Sequence, residues 1–194
     1  MKQIAKSGKK ILFVATKKQA KGIVAETAAA LNMPFITERW PGGLLTNFAT
    51  IRKSIKKMQT IDKMKENGTF DSLSKRERLQ IDRQRAKLDL NLGSIVKMTR
   101  MPEAVFIVDT GKENIALAEA NKLGIRSFAM NDTNTNPNLV SFPIPSNDDA
   151  SKSIQCIMSI VKTAIAEGLE ERGVDQEAKA VEKKEKAKKI TEEK

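Results

Sequence analysis

Arg39-Trp40-Pro41-Gly42-Gly43-Leu44-Leu45-Thr46-Asn47 is the stretch on which the fold turns. An apolar run arrives at it, Pro41-Gly42-Gly43 bends the chain, and Thr46-Asn47 offer short side-chain oxygens suited to opening a helix. From there to about Arg100 the chain is rich in Lys and Arg and poor in Gly and Pro. Upstream, Ile11-Leu12-Phe13-Val14-Ala15 and Pro34-Phe35-Ile36-Thr37 are short apolar runs of the kind buried in a parallel sheet. Between them Ala20, Ile23, Val24, Thr27 and Leu31 recur at helical spacing. Thr16 with Gln19 predicts a capping box at the start of that helix, and Asn32 its end. A β–α–β unit of this length predicts parallel strands and a right-handed crossover.

Downstream of the bend, Phe48, Ile51, Ile55, Met58, Ile61 and Met64 form one apolar stripe at spacings of three and four. Asn67-Gly68 ends that helix, and Ser74 with Glu77 is a second capping box opening a return helix. The return stripe is weaker (Ile81, Leu88, Leu92, Ile95, Met98), with Arg85 interrupting it. Two such helices joined by a short connection pack as an antiparallel hairpin. The α/β pattern then resumes with Ala104 to Val108 as a strand, and Thr110 with Glu113 as a third capping box opening a helix to Gly124. Ile125 to Met130 comes next as a strand, then Val140 to Ile144 as a short one that Pro143 confines to an edge. Asn147-Asp148-Asp149 cap a last helix with Ile154, Ile157, Met158, Val161 and Ile165 inward, ending near Gly168 to Gly173. Asp175 to Lys194 is mostly Glu, Lys and Ala, a tail expected to be helical only against a partner. The fold class is therefore α/β: a flavodoxin-like or Rossmann-like parallel sheet with an inserted antiparallel helical hairpin and a charged C-terminal tail. Residues 1–46 and 101–172 make the body, 47–100 the arm and 173–194 the tail.

Charge is segregated along this plan. Of the formal +11, residues 47–101 carry +8 and residues 1–46 carry +6, while 102–172 carry −4 and 173–194 carry +1. An excess this concentrated points to a polyanion, usually nucleic acid. No apolar run approaches the roughly 18 residues of a membrane span, and no secretory signal opens the sequence. A single cysteine, Cys156, fits a reducing cytoplasm. The absence of histidine removes His-based acid–base chemistry, Ser/His triads and His-ligated metals. Neither a cofactor nor a membrane partner is expected, and no homo-oligomer.

The bend and several shorter runs together resemble a known family. Ile11 to Lys18, Arg39 to Asn47, Gly68-Thr69-Phe70-Asp71, Pro102 to Phe106, Glu119 to Ile125, Asp132-Thr133-Asn134 and Asn147 to Ala150 are similar to bacterial small-subunit ribosomal protein S-two. The likeness runs from about Lys9 to Leu169. Pro41 stands where the family commonly has Leu, and Ser146 where Gly is usual. The resemblance implies a flavodoxin-like body with a coiled-coil arm on the back of the small subunit, contacts to 16S rRNA, support of ribosomal protein S-one docking near the messenger exit, and no catalysis. It also implies a further N-terminal region, with a His-bearing motif and a β-hairpin, that this sequence does not include. Part of the S-one docking surface goes with it.

Chemistry selects the candidate RNA-binding residues. At the bend, Gly42 and Gly43 let backbone approach a phosphate closely, Arg39 can grip it in a fork, and Asn47 opens the helix beside it. Trp40 can stack on a base, or it can be a core residue that wedges an ordinary turn. Arg52 and Lys53 lie one turn into the arm, and Lys56, Lys57, Arg76, Arg78, Arg83 and Arg85 lie along it. A charged coiled coil can also be a plain solvated face or a dimerisation device; +8 over 55 residues favours phosphate tracking, read through shape and backbone. Lys17 and Lys18 open a helix after a strand, where doubly wound folds place nucleotide phosphates. Thr16-Lys17-Lys18-Gln19-Ala20 has neither glycine fingerprint, which leaves RNA phosphate or solvent. Asp109, Asp132, Asp148 and Asp149 sit at strand ends or caps; as an oxygen-only set they make a weak metal signal, and capping accounts for the last two. Cys156 is expected in the core. The competing reading is a Rossmann-like enzyme whose nucleotide lies in a crevice between Lys17 and Asp109.

Overall fold

The computed structural model describes residues 1–192, with side chains through Asp175. Five parallel strands form one sheet in the order β2-β1-β3-β4-β5, with β1 Ile11–Val14, β2 Phe35–Ile36, β3 Ala104–Val108, β4 Arg126–Asn131 and β5 Phe142–Pro145. That is the flavodoxin-like order, reversing direction between β1 and β3. The helices are α1 Lys2–Lys6, α2 Lys18–Ala30, α3 Phe48–Glu66, α4 Lys75–Leu92, α5 Asn114–Lys122 and α6 Ser151–Glu192. Pro143 lies on β5, which pairs only with β4 and so tolerates the missing donor.

Strand alternation splits the core into two layers. Ile11, Phe13, Ala104, Phe106 and Val108 face α1, α2 and α6, where Val24, Ile154, Met158 and Ile165 cover them. Leu12, Val14, Val105 and Ile107 face the other way, onto Trp40, Leu44, Leu45, Ile55, Ile95 and the α5 residues Ala116, Leu117 and Ala120. The root of the α3–α4 hairpin therefore occupies the place on the sheet that a crossover helix between β2 and β3 would fill. The arm is anchored by the same apolar burial that holds the body together.

Several local expectations are corrected. Thr16 does not cap α2: its backbone N–H (3.1 Å) and its hydroxyl both donate to Glu113 Oε1, and α2 starts from Lys17 without a side-chain cap. The same contact takes Glu113 away from a capping box at α5. Asn147 alone caps α6, its Oδ1 accepting from the N–H groups of Asp149 (2.8 Å) and Ala150 (2.9 Å). Cys156 is exposed: two residues past Ile154 is about 200° around a helix, the solvent side. α4 ends at Leu92, and a 3-10 turn over Gly93–Ile95 completes the return. α6 does not stop near Gly168–Gly173. Gly168 is instead a contact point, since a Cβ there would lie 2.4 Å from the Lys2 carbonyl oxygen of α1, and the Glu/Lys/Ala-rich sequence beyond continues the helix. Of the expected tail, side chains from 176 onward lie outside the described residues.

Candidate nucleic-acid interface

The bend is built around a buried carboxylate from α5. Glu119 Oε1 accepts from Trp40 Nε1 at 3.0 Å and Gly43 N at 2.7 Å. Its Oε2 accepts from Leu45 N at 3.0 Å, Thr46 N at 3.1 Å and Thr46 Oγ1 at 3.2 Å. Burial alone would raise the Glu119 pKa, but the indole and the three backbone N–H groups outweigh it and hold the carboxyl below the usual range. Gly43 adopts φ +83°, the left-handed conformation that turns these donors inward. Trp40 is thus fixed in the core by its indole nitrogen, and the inner backbone donors of the bend are taken by Glu119. Its outward side is the rim: Arg39, Gly42 and Asn47 are exposed. Asn47 is the N-cap of α3 without capping it through its side chain; its Oδ1 accepts from Thr50 Oγ1 at 2.8 Å.

The arm is stapled at its root and bridged along its shaft. Arg52 Nη1 donates to the carbonyls of Val96 (3.4 Å) and Met98 (3.2 Å), and the Ser94 hydroxyl donates to the Phe35 carbonyl of β2. Arg85 crosses from α4 to Asp62 of α3 at 2.8 Å and also pairs with Asp89 at 3.1 Å; Lys65 pairs with Asp82 at 2.6 Å. The interruption of the α4 stripe at Arg85 is therefore an interhelical ion pair. At the tip, the Ser74–Glu77 capping box is present in both directions. Among the described residues, Lys53, Lys56, Lys57, Arg76 and Arg83 are exposed and have no carboxylate within ion-pairing distance, whereas Arg78 lies 3.8 Å from Asp71. Lys53, Lys56 and Lys57 fall within about 100° of the α3 circumference, and Arg76 and Arg83, two turns apart, fall on one line of α4.

The crevice at the carboxyl ends of β1 and β3 has the opposite character. Lys17 Nζ pairs with Asp109 (3.1 Å), Asp148 (2.8 Å) and Asp149 (2.6 Å). Burial opposes its charge, but the three carboxylates prevail and hold the ammonium above the usual lysine range. Asp132, Asp148 and Asp149 bring carboxylate oxygens within 4.8 Å of one another, and the ammonium of Lys17 pairs with two of these residues. Lys17, expected to meet phosphate, is enclosed by acids. Lys18 points outward, exposed and unpaired among the described residues. The position where this fold keeps nucleotides is thus acidic and occupied by the chain's own lysine, the wrong sign for a phosphate.

Comparison with known proteins agrees with this architecture. The model of the family Ribosomal protein S2 matches residues 1–168. The chain is 64% identical over 182 residues to the small ribosomal subunit protein uS2 of Flavobacterium johnsoniae, covering 94% of this chain and 72% of that one. The identity is also 64% over 181 residues to uS2 of Phocaeicola vulgatus, covering 92% and 65%. The chain belongs to the ribosomal protein S2 family. It spans only about two thirds to three quarters of the length of those relatives. Membership makes it a structural constituent of the small ribosomal subunit, serving translation rather than catalysing a reaction. Among the described residues, no helix is long and apolar enough to cross a membrane.

Within this S2-family chain, the sequence-derived residues sort by what they touch. Trp40 and Gly43 hold the bend to Glu119, Arg52 staples the root, Arg85 ties the two arm helices, and Lys17 closes the crevice. Arg39, Gly42, Lys53, Lys56, Lys57, Arg76 and Arg83 remain directed outward. The residue that sequence reasoning missed is Glu119. Its signal was an acid set between Ala116, Leu117 and Ala120 on the buried side of α5, where a carboxylate needs several donors to stay charged.

Proposed function

We propose that residues 47–100 form an RNA-binding arm on the body of residues 1–46 and 101–172, and that it docks the chain onto 16S rRNA in the cytoplasmic ribosome. The observation that carries this is the number of exposed arm cations without acidic partners among the described residues, Lys53, Lys56, Lys57, Arg76 and Arg83 among them. An arm that existed only for stability would neutralise them as it neutralises Arg85. Arg39 and Gly42 extend the same surface onto the bend, and Lys18 adds a cation at the edge of the body. Phosphates are the ligands, so the arm reads the shape and backbone of folded RNA. The 102–172 part of the body, net −4, faces neighbouring proteins, ribosomal protein S-one among them.

Sedimentation tests this directly. The chain is expected to travel with small subunits on a low-salt gradient and to be released as salt rises, because each neutralised phosphate frees counterions. A chain that stays at the top of a low-salt gradient with subunits present overturns the assignment.

A further inference from the structure

Where α3 and α4 leave the body, the bend and the two helices enclose a cleft of about 450 Å³, within the range of about 300–1,000 Å³ typical of small-molecule sites. Its wall is apolar, with Trp40 and Pro41 from the bend, Ile51 from α3 and Leu88 from α4. Two amides, Gln84 and Asn91, also line it, and Arg39 and Lys87 stand there as cations. Asn91 Nδ2 donates to the Lys87 carbonyl at 2.8 Å, which fixes the amide and leaves its Oδ1 to accept. No acidic side chain lines the cleft, although Asp62, Glu66, Glu77, Asp82 and Asp89 all lie on the same two helices.

We infer that this cleft receives a single unpaired nucleotide of the RNA held by the arm. The inference rests on the arm binding RNA and goes beyond it, because shape and phosphate recognition need no base pocket. An apolar slot takes the faces of a base, amides reach the donors and acceptors on its edge, and flanking cations meet the phosphates on either side. Bases inside an A-form helix are stacked and cannot enter, so the occupant comes from a loop or a bulge. Trp40 then has two tasks, its nitrogen bound to Glu119 and one part of its largely buried ring lining the slot.

The test uses the full chain on deproteinised 16S rRNA, with hydroxyl radicals reporting the backbone and base-specific reagents reporting unpaired base edges. The expected result is backbone shielding by the arm together with shielding of one or two unpaired bases. Ser54→Phe, which fills the cleft from the half-buried side of α3, is expected to abolish the base shielding and keep the backbone shielding. Gln84→Ala with Asn91→Ala touches no core residue and is expected to weaken the base shielding about tenfold. Backbone shielding with no base signal sensitive to either variant overturns the nucleotide pocket alone. Absence of all shielding overturns RNA binding by the arm as well.

Discussion

The crevice beside β1 and the arm both present lysines, and their surroundings give them opposite fates. Lys17 is enclosed by Asp109, Asp148 and Asp149, so a cation at the traditional ligand position of the fold is neutralised internally. Lys53, Lys56 and Lys57 stand exposed on α3 with no acid within ion-pairing distance among the described residues. Net charge by segment marks the stretches that carry both sets of lysines as basic; the distance to the nearest carboxylate decides which cations are available. The ordinary binding crevice of the fold has become a structural joint, and the proposed RNA recognition lies on the insertion instead.

The bend that couples the two regions carries the largest expected effect. Glu119→Ala leaves the indole and backbone donors of residues 40–46 without their acceptor, and is expected to cost about 3–5 kcal/mol in urea denaturation. Glu119→Gln keeps the shape and is expected to cost about 2 kcal/mol, since one oxygen becomes a donor facing donors. The pH dependence has a definite sign. A carboxyl whose pKa lies lower in the folded than in the unfolded chain contributes stability above its ordinary value near 4.3, and that contribution is lost as pH falls through the depressed value. The wild-type chain is therefore expected to lose stability on acidification below about pH 4, and Glu119→Gln to show a shallower acid limb. Equal acid limbs in the two proteins would remove Glu119 from the centre of the hinge.

Charge removal in the two regions is expected to separate stability from binding. Lys53→Ala, Lys56→Ala and Lys57→Ala together are expected to weaken association with 16S rRNA about a hundredfold at low salt and to reduce the salt slope by about two. Stability should stay within about 0.5 kcal/mol, because these side chains are exposed and unpaired among the described residues. Lys17→Met is expected to do the reverse. It leaves the buried Asp148 facing Asp109 and Asp149, costing about 2–3 kcal/mol, with RNA affinity changed less than about twofold. A Lys17 variant that folds normally yet loses RNA would invert the comparison.

Much of the fold was legible because it depends on periodicity. Continuous apolar runs at 11–15 and 104–108 mark doubly buried strands, and the stripe from Phe48 to Met64 marks a helix packed on one side. Side-chain partners were less legible, since capping patterns are local and tertiary partners compete for the same oxygens. Thr16 opened one plausible local cap and Glu113 closed another, begun at Thr110, and each found a better partner in the other across 97 residues. Glu119 and the acids around Lys17 lie far from their partners in sequence, so spacing carries no record of them. The capping box at Ser74 was readable because nothing else at the exposed tip competes for it.

That tip supplies the smallest expected effect and a control on the rest. Ser74→Ala removes the acceptor for Glu77 N and the hydroxyl that donates to the Glu77 carboxylate (2.8 Å), leaving only the backbone N–H of residue 74 (3.1 Å) to hold that carboxylate. A lost N-cap of this kind costs about 1 kcal/mol, and here it is confined to the first turn of α4. Hydrogen exchange is expected to quicken at residues 75–78 and to stay unchanged at the root, where Ile55, Leu92 and Ile95 are buried. If the arm binds RNA through its shaft and its crook, affinity for 16S rRNA should fall less than about threefold. A large loss from this single cap would place the principal contact at the tip instead, and would move Arg76 ahead of Lys53, Lys56 and Lys57 as the residue that holds the RNA.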